Sequence, residues 1–484
     1  MKVLSVASEI YPLIKTGGLA DVVGALPLAL RSQGIQVRSL IPGYPAVMQR
    51  TPRCHKVVRT YATLMGGPAS IVATQIDDLE LFILHAPHLF DRPGGPYGDP
   101  SGTDWEDNWK RFAALSRVGS DISEGVLKGF VPDIVHAHDW QAAMTAAYMR
   151  YGKAVRTPSL VTIHNLAFQG QYPAAVFPQL GLPDAAMSLQ GVEYYGGVGY
   201  LKAGLQSAWA ITTVSPTYAR EIHSPQFGMG LDGLLRMRST DLHGILNGID
   251  IATWDPQTDP RIPATYSTRS LNRRFGNRKQ ILQRFQLDED VNPLFCVISR
   301  LTWQKGMDVL VGLIDDMVTL GVRIAVLGSG DHALEGAFLA ASGKHPGRVG
   351  FIAGYDEELS HVMQAGCDAI VIPSRFEPCG LTQLYGLRYG CIPIVARTGG
   401  LADTVINANE AALNAGAATG FVFEPDNGQD LLYAVRRACN VYADSRLWSG
   451  MQRQGMKTDV SWTGSAARYA RVYRSLMSRK PSDA

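Results

Sequence analysis

Three charged residues stand in loops that follow predicted strands in the second half of the chain. Arg300 and Lys305 come directly after the apolar segment 294–299. Glu377 lies in the turn after segment 369–372. Parallel sheets bind ligands beyond the carboxyl ends of their strands, where arginine and lysine suit a diphosphate and a carboxylate suits sugar hydroxyls. This combination favours a nucleotide-sugar as ligand, although a solvated loop and a helix cap would explain the same residues.

A second candidate loop follows the first predicted strand, residues 3–8. It reads Lys15-Thr16-Gly17-Gly18, in which the glycines allow close backbone approach and the lysine can reach a phosphate. The segment is not a P-loop, because the Walker spacing and the final GK[ST] are absent. A structural turn would explain the glycines but not the lysine.

Histidine and aspartate end the predicted strand 133–137 in the segment HAHDWQ. His136 and His138 share one face of an extended segment, so their geometry would allow both to bind one metal ion. No third ligand is near in sequence. Asp139 and the pair His164-Asn165 both follow strands, and we expect them either to converge on one cleft or to cap loops.

Several common catalytic patterns are absent from the sequence. It contains no GxSxG, no HExxH and no pair of carboxylates at a telling local spacing. This argues against a hydrolase that uses a nucleophile and a general acid. Electrostatic stabilisation of a leaving diphosphate is then the main catalytic device available.

Alternating apolar and helical segments predict two doubly wound parallel sheets of the α/β class. In the first half we predict strands 3–8, 37–41, 133–137, 159–163, 210–214 and 244–246, an added hairpin of 71–75 and 79–85, and helices 20–33 and 105–127. In the second half we predict strands 294–299, 323–327, 349–353, 369–372, 392–395 and 420–423, with helices 306–320, 333–342, 357–365, 381–389 and 429–442. Segment 247–277, rich in proline and aspartate, predicts a linker, and segment 461–477 predicts a closing helix.

An internal echo supports two similar halves. Residues 16–23 read TGGLADVV and residues 398–405 read TGGLADTV, each after a strand-like segment. The pattern is typical of a tight strand–helix turn. Chance, or convergence on one turn geometry, would also explain the match.

Composition excludes several function classes. A chain of 484 residues predicts two or three domains at roughly 100–200 residues each. The net charge of +2 gives no reason to invoke nucleic acid or an acidic membrane. No apolar window is long enough for a membrane span, the start does not resemble a signal peptide, and six scattered cysteines without CxxC favour a reduced, cytoplasmic protein.

Taken in order, six motifs resemble those of bacterial glycogen synthases, and starch synthases share the pattern. The resemblance covers nearly the whole chain. The motifs are KTGGLADVVGALP (15–27), HAHDWQ (136–141), TIHN (162–165), NGID (247–250), SRLTWQKG (299–306) and RFEPCGLTQLYGLRYG (375–390).

The resemblance implies a GT-B fold, with two Rossmann-like domains facing a deep cleft. Residues 1–245 would form the acceptor-side domain with part of the donor site, and 246–457 the nucleotide-sugar domain. Residues 458–484 would form a helix that crosses back to the first domain. The implied activity is transfer of glucose from ADP-glucose to the non-reducing 4-OH of an α-1,4-glucan, with retention of configuration and release of ADP.

The resemblance also implies roles for individual residues. Arg300 and Lys305 would hold the diphosphate, and Glu377 would bind hydroxyls of the transferred glucose. The remaining matched positions would contact the donor (Lys15, Gly18, and the amides of Gly380, Leu381 and Thr382), pack on adenine (Tyr355), line the reacting centre (Asp139, His164, Asn247) or lie near the acceptor (Tyr97, Glu9).

No metal or other cofactor is expected, since the two cations can stabilise the leaving group. The alternatives are a UDP-glucose enzyme or another retaining transferase with a different acceptor, a nicotinamide oxidoreductase, and a non-catalytic glucan-binding protein. The missing GxGxxG after the first strand argues against the oxidoreductase. The sequence leaves open the nucleotide, a homo-oligomeric state, allosteric control and self-priming.

Overall fold

The computed structural model describes residues 1–52 and 55–479, and the chain divides into two compact units. Unit 1 consists of Met1–Asn247 and Trp462–Ala484, and unit 2 consists of Gly248–Ser461. Cys54 lies outside the described residues. No helix in the described part of the chain is long and apolar enough to cross a membrane.

Unit 1 is built on a nine-stranded sheet in the order β12-β11-β7-β6-β1-β2-β5-β4-β3. Pairing is parallel from β12 to β5, and β4 and β3 add an antiparallel hairpin at one edge. A small antiparallel sheet has the order β8-β10-β9. The strands are β1 (Lys2–Val6), β2 (Gln36–Pro42), β3 (Lys56–Leu64), β4 (Gly67–Ile76), β5 (Leu79–His85), β6 (Ile134–His138), β7 (Ser159–Ile163), β8 (Gln171–Pro173), β9 (Glu193–Tyr194), β10 (Gly197–Gly199), β11 (Ala210–Thr213) and β12 (Leu242–Gly244).

The helices of unit 1 cover this sheet. They are α1 (Gly18–Arg31), α2 (Pro45–Arg50), α3 (Pro87–Phe90), α4 (Asn108–Ser123), α5 (Asp139–Arg150), α6 (Tyr200–Ser207), α7 (Pro216–Glu221) and α8 (Asp232–Met237), with 3₁₀ turns at Ala174–Gln179 and Asp184–Ala186. The chain runs outward from β1 through β2 and β5, then restarts at β6 on the other side of β1. The strand order therefore reverses between β1 and β6, which is where doubly wound sheets bind ligands.

Unit 2 is built on six parallel strands in the order β15-β14-β13-β16-β17-β18. The strands are β13 (Leu294–Ile298), β14 (Arg323–Gly328), β15 (Val349–Ala353), β16 (Ala369–Ile372), β17 (Ile392–Ala396) and β18 (Phe421–Phe423). Every residue of β16 and β17 is buried, as expected for strands covered on both faces. Here the strand order reverses between β13 and β16.

The helices of unit 2 follow its strands. They are α9 (Arg274–Arg284), α10 (Met307–Val311), α11 (Ile314–Thr319), α12 (His332–Lys344), α13 (Glu357–Gly366), α14 (Thr382–Tyr389), α15 (Gly399–Thr404), α16 (Glu410–Asn414), α17 (Gly428–Tyr442) and α18 (Ser445–Lys457), with 3₁₀ turns at Leu271–Arg273 and Trp303–Lys305. The prediction of two doubly wound parallel sheets is confirmed.

The last helix, α19 (Trp462–Ser478), belongs to unit 1. Its buried residues Tyr469, Tyr473 and Leu476 share a hydrophobic core with Leu26 and Leu30 of α1. The helix predicted for segment 461–477 is therefore confirmed, and its apolar face completes the packing of the first sheet.

Several predicted elements are wrong in extent. The helix predicted over 306–320 is two helices, because the backbone of Leu313, with φ −110° and ψ 1°, leaves the helical path between α10 and α11. The helix predicted over 105–127 is shorter at both ends, and the strand predicted at 244–246 lies two residues earlier. The prediction gave two strands for the hairpin region and missed a third, β3. The residues of β3 are mostly exposed and show no apolar alternation.

The linker predicted for 247–277 is also wrong. Trp254, Ile262 and Tyr266 of this segment are buried in the core of unit 2. The Trp254 ring stacks on His361 at 3.6 Å and on Tyr385 at 3.7 Å between ring centroids. The backbone is irregular because three aspartates accept backbone hydrogen bonds in consecutive turns, namely Asp250, Asp255 and Asp259. Lack of periodicity here reflects turn chemistry and not a loose connection.

Candidate active site

Unit 2 brings a lysine and a glutamate together where its strand order reverses. Lys305 follows β13, Glu377 follows β16, and Lys305 Nζ lies 2.5 Å from Glu377 Oε2. The Ser374 hydroxyl donates to the same oxygen at 2.8 Å. The side chains of Lys305 and Glu377 are only 17% and 10% exposed. The predicted diphosphate-binding cation and the predicted sugar-binding carboxylate thus form a largely buried ion pair.

The loop that carries Lys305 is seated directly on the end of β16. Gly306 has φ +67°, and a Cβ there would stand 2.0 Å from the carbonyl oxygen of Pro373. The backbone N–H of Arg375 donates to the Gln304 carbonyl at 2.9 Å. These contacts require glycine at 306 and bring the two loops into register.

Arg300 is the exposed cation of this edge. It lies after β13, and within the described chain its guanidinium has no hydrogen-bond or ion-pair partner. An arginine in this state is available for a planar anion such as a phosphate. Arg300 and Lys305 therefore differ, since one cation is exposed and the other is already paired.

The turn after β16 leads into helix α14 at Thr382. Leu381 occupies the N-cap position, and no side chain caps the helix start. Gly380 has φ +70°, and a Cβ there would meet Gln383 Oε1 at 2.4 Å. An uncapped helix start next to a glycine turn is suited to a phosphate group, as predicted for Gly380 to Thr382.

Two glycines that sequence reasoning did not assign to the site support the Glu377 turn. Gly399 has φ +42°, and a Cβ there would stand 1.9 Å from the Glu377 carbonyl oxygen. The Gly400 N–H donates to that same oxygen at 3.1 Å. These residues begin helix α15 and belong to the second copy of the TGGLAD echo. The repeated sequence predicted a tight turn at Gly399-Gly400, but only the fold shows that this turn contacts the loop of Glu377.

Tyr355 lies at the carboxyl end of β15, two strands away from β13. Its side chain is 71% exposed, and its hydroxyl donates to Glu357 Oε2 at 3.3 Å. The exposed ring is compatible with packing on a flat base. The structure places it on the sheet edge of unit 2 but not within the Lys305–Glu377 pair.

In unit 1, Glu9 is the centre of a hydrogen-bond cluster after β1. It is 2% exposed and accepts bonds from the Tyr97 hydroxyl, from the Thr16 hydroxyl at 2.7 Å and from the Thr16 backbone N–H. The Ser8 and Tyr97 hydroxyls lie 2.8 Å apart. Glu9 therefore ties the Lys15-Thr16 loop to Tyr97, a contact that the sequence did not predict.

Lys15 and Gly18 lie at the start of helix α1. Lys15 Nζ contacts Asp21 Oδ1 at 2.7 Å, with both side chains partly exposed. Gly18 is the first helical residue and is exposed, and Gly17 at the N-cap offers no side-chain cap. The exposed helix start keeps backbone donors near a lysine, in agreement with an anion-binding loop.

Asp139 and His164 meet at the carboxyl ends of β6 and β7. Asp139 Oδ1 accepts the His164 backbone N–H at 2.6 Å, and His138 Nδ1 lies 3.0 Å from His164 Nε2. Burial raises the pKa of the Asp139 carboxyl to about 7. Hydrogen bonds from the backbone N–H groups of His164 and Asn165 lower this pKa, and the charge of Glu9 raises it further. Burial lowers the pKa of His164 to about 3, so its ring is neutral near pH 7.

The HxH pair is part of this buried network. His136 Nδ1 lies 2.8 Å from the Tyr473 hydroxyl, and its Nε2 lies 2.5 Å from the Thr162 hydroxyl. Both ring nitrogens of His136 are therefore occupied by hydroxyl groups. Among residues 1–52 and 55–479, no group of three or more His, Cys, Asp or Glu residues could hold a metal ion.

Asn247 ends the first stretch of unit 1 and is 8% exposed. Its side-chain Oδ1 is buried and has no hydrogen-bond partner among the described residues. A buried unpaired acceptor costs about 1–3 kcal/mol, so it calls for an explanation, such as a role in binding.

Two family models match consecutive parts of the chain. One, described as the starch synthase catalytic domain, matches residues 2–237, and the other, described as glycosyl transferases group 1, matches residues 278–446. The solved catalytic domain of starch synthase IV from Arabidopsis thaliana, bound to ADP and acarbose, is similar with a TM-score of 0.87. It is 31% identical, and 99% of each chain is covered. Fold and matches together define a glycosyltransferase of the GT-B class.

Full-length relatives identify the family within this class. Glycogen synthase from Mesorhizobium japonicum is 65% identical over 480 residues, which cover 99% of this chain and 100% of that protein. Glycogen synthase from Rhizobium leguminosarum bv. trifolii is 58% identical over 482 residues with the same coverage. The chain belongs to the glycogen synthase family.

Proposed function

We propose that the protein transfers glucose from ADP-glucose to the non-reducing 4-OH of an α-1,4-glucan, with retention of configuration and release of ADP. The observation that carries this proposal is the Lys305–Glu377 pair at the strand-order reversal of unit 2, with the exposed Arg300 on the same segment after β13. The family membership supports it, and so does the similar starch synthase domain, which is bound to ADP and acarbose.

In this proposal the donor diphosphate binds to Lys305 and Arg300. Lys305 is already held by Glu377, so the incoming diphosphate shares the ammonium group with the carboxylate. Negative charge grows on the diphosphate as the glycosidic bond breaks, and two pre-positioned cations stabilise that charge. Glu377 then accepts hydrogen bonds from hydroxyls of the transferred glucose, and the amides of Gly380 to Thr382 bind the distal phosphate.

Retention follows from attack on the same face of the sugar that the diphosphate leaves. The departing phosphate oxygen takes the proton of the acceptor hydroxyl, so no separate general base is required. Asp139 has a pKa of about 7, and His164 is neutral. We assign both, with Asn247, to binding at the reacting centre and not to nucleophilic attack.

The remaining residues are assigned to acceptor binding or to donor binding. Tyr97 and Glu9 belong to the acceptor side, Lys15 and Gly18 to donor contact, and Tyr355 to the adenine. We propose that the reaction needs no metal, since the cations of unit 2 can neutralise the diphosphate. A cytoplasmic location is supported by the five free cysteines among the described residues. A homo-oligomeric state stays a prediction.

The experiment is glucose incorporation into glycogen from labelled ADP-glucose and, in parallel, UDP-glucose. Incorporation from ADP-glucose that a chelator leaves unchanged is the expected result. Incorporation from UDP-glucose alone would be consistent with a glucosyltransferase but would refute ADP-glucose as the donor. A chelator-sensitive rate would overturn the metal-free mechanism.

A further inference from the structure

Arg375 is the other charged residue of the turn that carries Glu377, and its guanidinium is held by three residues. Its Nη1 donates to the Trp303 carbonyl at 2.7 Å, and its fork binds both oxygens of Asp308 at 2.6 and 2.8 Å. Its Nε donates to Asp426 at 2.9 Å. The guanidinium also lies 4.6 Å from the centroid of the Trp303 ring.

These partners decide what Arg375 can do. Two carboxylates already neutralise its charge and raise its pKa, with the Asp308 hydrogen bonds as the largest cause. A group so engaged is a poor phosphate ligand, in contrast to the exposed Arg300. The Arg375 side chain is only 11% exposed, whereas the side chains of Asp308 and Asp426 are 44% and 61% exposed.

The partners also bracket Lys305 in the sequence. Trp303 precedes it and Asp308 follows it, and Arg375 binds both while standing two residues from Glu377. The side chain therefore joins the loop that carries the cation to the turn that carries the carboxylate. A planar fork can hold two such segments at a fixed distance, which a lysine in its place cannot do.

We propose that Arg375 is a positioning residue that sets Lys305 against Glu377 without itself contacting substrate. The proposal rests on the role given to Lys305 above. Without Arg375, residues 303–308 lose the contacts of Trp303 and Asp308 to the turn after β16, and the ammonium group moves away from the diphosphate. A displacement of about 1 Å at a reacting group can cost about 100-fold in rate.

A double-mutant cycle tests this role, with kcat measured at saturating ADP-glucose and glycogen. We expect Arg375→Ala to lower kcat at least ~10-fold while the KM for glycogen changes less than ~2-fold. In the Lys305→Ala background the same change should lower kcat less than ~2-fold, because the cation to be positioned is gone. Losses that multiply in the double variant, or a normal kcat in Arg375→Ala, would overturn the proposal.

Matched variants separate positioning from general damage. Arg348→Ala removes another arginine of unit 2 that pairs with two aspartates, Asp288 and Asp290, and should leave kcat within ~2-fold. Arg375→Lys keeps the charge without the fork, and we expect an intermediate loss. If Arg375→Ala does not fold, Asp308→Ala, which removes the carboxylate bound by the Arg375 fork, replaces it in the cycle with the same expectation. A wild-type protein without transferase activity would refute the proposed function, whereas an active wild type with multiplying losses would refute only this role.

Discussion

Replacement of Lys305 by alanine should affect activity and stability in separable ways. Lys305 is the largely buried cation of the proposed donor site, and its Nζ lies 2.5 Å from Glu377 Oε2. Loss of one group that stabilises charge in the transition state typically lowers kcat ~100-fold or more, equivalent to about 2.7 kcal/mol. We expect at least that loss for Lys305→Ala at saturating donor.

The same change leaves the Glu377 carboxylate largely buried without its cation. Among residues 1–52 and 55–479, only the Ser374 hydroxyl then donates a hydrogen bond to the oxygen that Lys305 held. Breaking a fully buried pair costs about 3–5 kcal/mol, and partial exposure reduces this to about 2 kcal/mol. A domain of this size shifts by about 2–4 °C per kcal/mol, so the melting temperature of unit 2 should fall by about 4–8 °C.

The double variant Lys305→Ala/Glu377→Ala separates the two effects. It removes both charges, so we expect calorimetry to show most of the lost melting temperature restored, while kcat is at least as low as in the single variant because Glu377 is also lost from the glucose-binding group. A kcat loss below tenfold in Lys305→Ala would refute its role in transfer. An unchanged melting temperature would refute the ion pair.

Three further changes test other parts of the account. The Asp139 carboxyl has a pKa of about 7 in the folded protein against an ordinary 3.8, so stability is lost as the pH rises from about 4 to about 7. The melting temperature of wild type relative to Asp139→Asn should fall over that interval and level off above it, and a constant difference would contradict the shift. Gly400→Ala places a Cβ 2.0 Å from a carbonyl oxygen of the turn after β16 and should lower kcat at least ~10-fold. Gly416→Ala serves as the control, because Gly416 has φ +64° and an added Cβ there meets nothing within 4 Å. Equal losses of kcat in the two variants would disprove the contact. Tyr355→Ala should raise the KM for ADP-glucose by ~10-fold, the value of one base–aromatic stack, with Tyr433→Ala as an exposed control; an unchanged KM would remove Tyr355 from the donor site.

Strand–turn–helix units were predictable because their local chemistry is strong. The apolar runs of β13 and β16 match the predicted strands closely, and the alternation with helices led to the doubly wound order. Segment 247–277 was not predictable in this way. Trp254 is buried by a stack with His361 and Tyr385, and partners so distant in sequence leave no local pattern.

The residue types of the candidate site were predictable, but their contacts were not. Lys305 and Glu377 are 72 residues apart and meet because β13 and β16 are neighbours in the sheet although not in the chain. The same applies to Gly399, where the nearby Glu377 carbonyl oxygen leaves no room for a Cβ. The sequence suggested that Arg375 was simply one of two charges in a turn, and only its three partners show that it is already engaged.

The most direct test of the central claim is glucose incorporation into glycogen from labelled ADP-glucose by wild type and Lys305→Ala, each with and without a chelator. The account predicts chelator-independent incorporation by wild type and at least ~100-fold less by the variant. No incorporation by folded wild type, or equal incorporation by both proteins, would contradict it.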